Sequence, residues 1–119
     1  ARAGSEGMYC FGNDEEMLKD FAWYHVNAEG KIHCVGEKKP NAWGLHDMHG
    51  NVWEWVQDRY GSYPSENATD PMGPQKGSYR VVRGGSWRNL GRFCRSAIRG
   101  NNGPGNGVSD IGFRLARTL

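Results

Sequence analysis

At 119 residues, with 37% hydrophobic residues, a mean hydropathy of −0.77, a net charge of +2 and a pI near 8.5, the chain suits one small domain whose core leans on aromatic residues. The charge balance is too mild to argue for a nucleic-acid partner, no apolar run suggests membrane insertion, no signal peptide is visible, and the 18 glycines follow no Gly-X-Y period, which excludes collagen. Cys10, Cys34 and Cys94 are an odd, widely spaced set with no zinc pattern, read as buried or free thiols of a reducing compartment, with one bridge plus one free thiol as the alternative.

The chain opens as ARAGSEG without an initiating Met, so a fragment or a processed product is expected. Asn13-Asp14 before Glu15 and Glu16 predicts a capped helix ending near Asp20. Phe21–Val26 is aromatic and β-branched and predicts a strand; Asn27–Gly30 is a turn, Ile32–Val35 a second extended piece, and Glu37–Pro40 a solvated connector. Asn41–Trp55, NAWGLHDMHGNVWEW, then holds three of the five tryptophans and two of the four histidines in fifteen residues. Aromatic side chains dominate cores and glycine permits turns. The stretch is therefore expected to be a buried, turn-rich segment, with Trp43, Trp53 and Trp55 filling the core.

Gly61–Gly77, with Pro64, Pro71 and Pro74, predicts a long loop. It carries the glycosylation sequon Asn67-Ala68-Thr69, which means little without a secretion signal. Tyr79–Val82 predicts a strand ended or bulged by Gly84-Gly85. Phe93–Ile98 predicts another, the Gly/Asn-rich run 100–109 a loop around Pro104, and Ile111–Ala116 a closing strand. No internal repeat is present. The pattern is α+β with little regular structure: short antiparallel strands and one or two short helices. From Arg80 onward the only acidic residue is Asp110, and there is no Lys. These arginines fall at strand-like and turn positions, which disfavours the basic stripe of a nucleic-acid binder.

Three blocks, NAWGLHDMHGNVWEW at Asn41–Trp55, SYRVVRGGSW at Ser78–Trp87 and DIGFRLART at Asp110–Thr118, resemble in order and spacing the formylglycine-generating-enzyme (sulfatase-modifying factor) family. The resemblance implies a single, partial family domain over 1–119 with a C-type-lectin-like fold. It also implies a structural calcium site of Asp47, Gly50, Val52 and Glu54, with backbone carbonyls as ligands at the middle two. Hard cations take several oxygen ligands of this kind. The alternative is that Asp47 and Glu54 only bond nearby amides. His46 and His49 are expected to be satisfied polar or surface groups rather than ligands of a transition metal.

The family's enzymes oxidise a cysteine of a client sulfatase with copper(I) held by two thiolates. Counted from Ser86, those positions are Asn89 and Cys94, so the pair is broken and no copper is expected. Ser86 and Trp53 match residues near that active site, but each also suits a structural role.

Arg88–Asp110 contains no Lys, Glu, Gln, Met or Trp, the five residues that a codon ending in C cannot encode among those used freely elsewhere in the chain. The window thus resembles the variable region of a diversity-generating retroelement target protein, followed by a constant tail like Ile111–Arg114. That implies a non-catalytic protein binding a macromolecular ligand, most simply a protein, through a changeable face. Its candidate contacts are Asn89, Leu90, Gly91, Phe93, Ile98, Gly100, Asn101, Asn102, Gly103, Gly105, Gly107, Val108 and Ser109. Leu90, Phe93 and Ile98 would be apolar anchors, although Phe93 or Ile98 is expected to face the core. Arg88, Arg92, Arg95 and Arg99 would line the face or bridge carbonyls. The competing readings are a formylglycine-generating oxidase, an ordinary Gly/Asn-rich loop, and an accessory structural domain of a larger bacterial protein.

Overall fold

The computed structural model describes residues 1–63 and 73–117. The sequon Asn67-Ala68-Thr69, Pro64, Pro71 and Thr118 lie outside the described residues. Asp14 caps the first helical segment as its sequence suggests: its carboxylate accepts from Glu16 N at 3.0 Å. A 3-10 turn at Glu15–Met17 leads into the single-turn helix α1, Leu18–Phe21. α1 presents Leu18 to a core of Tyr9, Leu18, Ala22, Tyr24 and Cys94, against which Phe11 packs.

The strand expected at Phe21–Val26 does not form. Asn27 takes over its backbone groups: Oδ1 accepts from Tyr24 N at 2.9 Å, and Nδ2 donates to Ala22 O at 2.9 Å. Only Trp23 makes a strand-like bridge, to Gly50. Ile32–Val35 is likewise no strand, because the Asn51 side chain bonds both His33 N and His33 O at 3.1 Å. A polar side chain can substitute for a sheet neighbour in this way.

Four strands form one sheet in the order β3-β2-β1-β4. β1 is Trp53–Arg59 and β2 is Arg80–Arg83; they pair antiparallel, with Glu54 opposite Arg83 and Trp55 opposite Val82. β3, Gly100–Asn102, joins the outer side of β2 antiparallel, and β4, Ile111–Gly112, pairs parallel with β1. The fold class is α+β as expected, but the sheet is mixed, not purely antiparallel.

Other boundaries move for local reasons. Phe93–Ile98 is not a strand: Gly91–Phe93 is a 3-10 turn, and Cys94 N and Ile98 N donate to carbonyls three residues back. The strand appears instead at Gly100, inside the expected loop, where a side chain would press on Val82 and the Trp53 ring. β4 stops after two residues, short of Ala116. Trp43 does not fill the core; it is 70% exposed. Asn41 Oδ1 accepts from Trp43 N at 3.0 Å and Leu45 N at 3.1 Å, folding a tight turn that turns the indole outward. Trp53 and Trp55 are half-buried on β1.

Candidate functional site

Two regions carry chemistry. The first is the turn between Asp47 and Asn51, which enters β1. Asp47, Gly50 and Asn51 all have positive φ, at 55°, 72° and 60°. Such backbone is costly for residues other than glycine and persists only when the surroundings enforce it. The enforcing contacts are visible. Gly50 N donates to Gly84 O at 2.8 Å, Asn51 N to Trp23 O at 2.7 Å, and Trp87 N to Asn51 O at 2.8 Å.

His49 is fully buried in this turn, 2.7 Å from Cys94 O through Nδ1 and 3.1 Å from Cys10 N through Nε2. A carbonyl only accepts and an amide only donates, so the neutral Nδ1–H tautomer is required. Burial holds its pKa below the ordinary value. His46 Nδ1 lies 2.7 Å from Lys38 O. Both histidines are therefore satisfied polar groups. Among the described residues, no cluster of three or more His, Cys, Asp or Glu side chains could hold a metal by itself.

Oxygens are nevertheless gathered here. Asp47, Gly50, Val52 and Glu54 line one cavity of about 330 Å³. Asp47 is 8% exposed; its Oδ2 accepts from Gly36 N at 2.7 Å, while its Oδ1 is buried with no partner. An unpaired buried carboxylate oxygen is expensive and calls for a cation or donor. Two carboxylates, with Gly50 and Val52 lining the same cavity, are of the kind that a hard cation such as calcium takes. Glu54 is already engaged by Arg114 in a two-point ion pair, Nε to Oε2 at 2.7 Å and Nη2 to Oε1 at 2.6 Å. Sequence reading missed Arg114. The available signal was the opposite charge two residues beyond the strand that pairs with Glu54.

The second region is the window from Arg88 to Asp110, whose two ends meet at Ser86. The buried Ser86 hydroxyl lies 2.8 Å from Asn89 Oδ1 and 3.1 Å from Asp110 Oδ2. Asn89 also accepts from Ser86 N at 2.9 Å, and Asp110 O accepts from Trp53 N at 2.8 Å. The window is thus a loop whose two roots meet at one hydroxyl, which donates its single proton to one of them at a time.

Between those roots the thirteen candidate contacts divide. Leu90, Phe93, Asn101, Gly105, Gly107, Val108 and Ser109 are exposed. Asn89 is occupied in the Ser86 knot, and Gly91 is buried against the Glu15 side chain. Ile98, Gly100, Asn102 and Gly103 are half-buried, Gly100 on the sheet and Asn102 bonded to Gly103 N at 2.7 Å and Asn106 Nδ2 at 3.0 Å. Phe93 does not face the core; Gly91 takes the inward position instead. Three arginines lie over aromatic rings: Arg88 on Trp87, Arg92 on Phe93, and Arg99 on Tyr60 and Tyr63. Arg95 and Arg99 also donate to the carbonyls of Arg92 and Gly61, both at 2.6 Å.

Cys10, Cys34 and Cys94 are all free. Cys94 is fully buried, and burial, with Glu15 adding to it, pushes its thiol up to about 12. A buried, protonated thiol, with Asn89 at the partner position counted from Ser86, does not fit a two-thiolate copper(I) site.

A curled mixed sheet, one short helix, a core held largely by loops and a Trp-rich turn feeding the central strand define a formylglycine-generating-enzyme-like, C-type-lectin-like domain. The chain belongs to the sulfatase-modifying factor enzyme 1-like domain family, which matches residues 1–119. It is 40% identical over 135 residues to the formylglycine-generating enzyme of Streptomyces coelicolor, covering 98% of this chain and 42% of that protein. It is 45% identical over 84 residues to the serine/threonine-protein kinase pkn1 of Chlamydia pneumoniae, covering 67% of this chain and 14% of the kinase. Among solved structures it resembles Treponema denticola variable protein 1, with a TM-score of 0.89, 41% identity, and coverage of 95% of this chain and 41% of that one. The chain spans less than half the length of each of these proteins. Among the described residues, no helix is long and apolar enough to cross a membrane.

Proposed function

We propose that this domain is a non-catalytic display module, the variable target of a diversity-generating retroelement, which binds a protein ligand through the exposed residues of the 88–110 window. The likeness to a variable protein at TM-score 0.89 carries the reading. The composition of the window supports it, as does the Ser86 knot. A loop fixed at its roots and free at its exposed positions can change side chains without changing the scaffold, as antibody loops do. The fully buried Cys94 weighs against cysteine oxidation.

The decisive experiment is on the gene. A near-identical non-coding repeat differing at adenines, beside a reverse transcriptase, is the expected finding; absence of both would remove the retroelement. On the protein, replacing the exposed Asn101 with Ser and Ser109 with Ala is expected to shift stability by less than about 1 kcal/mol in urea melts, as exposed positions do. A loss of several kcal/mol would make these residues part of the frame.

The 40% identity to a formylglycine-generating enzyme supports a second reading, an oxidase acting on a client cysteine. Incubation with copper(I) and a Cys-X-Pro-X-Arg peptide separates the two: aldehyde formation would overturn the display reading.

We also propose that Asp47, Glu54 and the carbonyls of Gly50 and Val52 hold a structural calcium ion. The unpartnered Asp47 Oδ1 supports this. Bound calcium would neutralise the carboxylates and brace the positive-φ turn. In millimolar calcium, an excess of chelator is expected to lower the melting temperature by several degrees, a shift worth about 1–2 kcal/mol for a domain of this size. Glu54→Ala should remove most of that sensitivity. An unchanged melt in chelator would count against the site.

A further inference from the structure

Arg114 enters the oxygen-lined cavity from the segment after β4. Beyond its two bonds to Glu54, its Nη2 reaches the carbonyl oxygens of His46 at 3.1 Å and Asp47 at 3.3 Å. One guanidinium therefore meets four oxygens, all drawn from the segment 46–54. The parallel register explains how it arrives there. Gly112 lies opposite Glu54, which leaves Arg114, two residues on, within reach of the Glu54 carboxylate. Phe113 and Arg114 close the cavity opposite Val35 and Gly36.

The charges then decide. Asp47 and Glu54 bring two negative charges and Arg114 one positive, leaving one negative charge to face a divalent ion. Affinity for calcium follows the charge count of its ligands across orders of magnitude. A fixed positive charge in the same cavity repels a divalent ion twice as strongly as a monovalent one. The guanidinium cannot release its proton, so its charge stays in the cavity.

We propose that Arg114 is a tethered counter-cation: it satisfies the oxygens of the turn when no metal is bound and holds the calcium affinity of the site low, so that ion binding and docking of the Arg114 side chain oppose each other. The proposal rests on the calcium reading above.

The test is a calcium titration of the full chain, followed by isothermal calorimetry and by the emission of Trp53 and Trp55. Arg114→Gln is expected to tighten the apparent Kd at least about tenfold, and Arg114→Lys, which keeps the charge, to stay within about threefold of the parent. Equal or weaker binding in Arg114→Gln would overturn the proposal, since Arg114 would then only orient Glu54. A Lys variant that tightens like Gln would overturn it too.

Should the Gln variant not fold, solvent exchange of the Arg114 Nε proton in the parent decides, because that proton is bonded to Glu54 Oε2 at 2.7 Å. Calcium is expected to accelerate it, and calcium-induced protection refutes the opposition. Failure of the calcium reading looks different: no heat and no spectral change in parent or variants up to about 10 mM calcium, beyond the weakest extracellular sites. The proposal would fall with it.

Discussion

Gly50→Ala is expected to remove about 3–5 kcal/mol of stability and to leave the domain largely unfolded at 37 °C. Two independent effects add. The residue sits at φ +72°, where a Cβ is strained by about 1–2 kcal/mol. A Cβ there would also overlap the carbonyl oxygen of Trp23 and crowd Ala22. That neighbour is backbone, and it accepts the 2.7 Å bond from Asn51 N, so it cannot move aside without breaking the turn. Urea melts of the purified variant give the number. A loss below about 1 kcal/mol would mean that the turn is softer than its contacts indicate. Gly44, also at positive φ, has nothing within 4 Å of a built Cβ, and Gly44→Ala serves as the control for conformational strain alone.

The second large effect is acid sensitivity centred on His49. Its imidazole is fully buried between Cys10 N and Cys94 O, and burial lowers its pKa from the ordinary 6.5. The unfolded chain therefore takes up the proton first as pH falls. The stability that the neutral ring contributes is complete above 6.5 and declines from there toward the lowered folded value. Urea midpoints are expected to fall between about pH 7.5 and 5, before most carboxylates protonate. His49→Gln should flatten that part of the profile. His49→Ala is expected to cost about 3–5 kcal/mol at neutral pH, since it opens a cavity and strands a buried amide and carbonyl. A pH profile unchanged in His49→Gln would place the acid sensitivity elsewhere.

The parts of this fold legible in the sequence are those set by neighbours in the chain. Asp14 caps its helix, Arg80–Arg83 forms a strand close to Tyr79–Val82, and Gly84-Gly85 ends it, all through local chemistry. Phe21–Val26 and Ile32–Val35 mislead because the deciding groups are the side chains of Asn27 and Asn51. Asn51 acts from eighteen residues away and leaves no mark on the pattern it interrupts. β1 was readable in part: Trp53-Glu54-Trp55 alternates as a half-buried strand should. The glycines before it drew attention to the turn instead.

At the candidate ion site, Asp47 and Glu54 are legible through family resemblance, whereas Arg114, sixty residues from Glu54, is legible only once the β1–β4 register is known. In the window, composition singles out Arg88–Asp110. It cannot separate Leu90 and Val108, which face outward, from Asn89 and Gly91, which hold the frame, because randomised and structural Asn and Gly look alike in a list of residues.

The parallel pairing of Trp53 with Ile111 also governs how the chain can fold during synthesis. β1 is central in the finished sheet, yet its second neighbour is made 58 residues after it. At ~5–20 residues per second, the ribosome leaves that edge bare for several seconds. Trp53 and Glu54 then present unpaired backbone groups beside a half-formed aromatic core, the kind of edge that recruits other chains. On the display reading, each sequence carried between Arg88 and Asp110 passes through the same wait. Substitutions in the window that expose more apolar surface during that wait are therefore expected to lower the yield of folded protein.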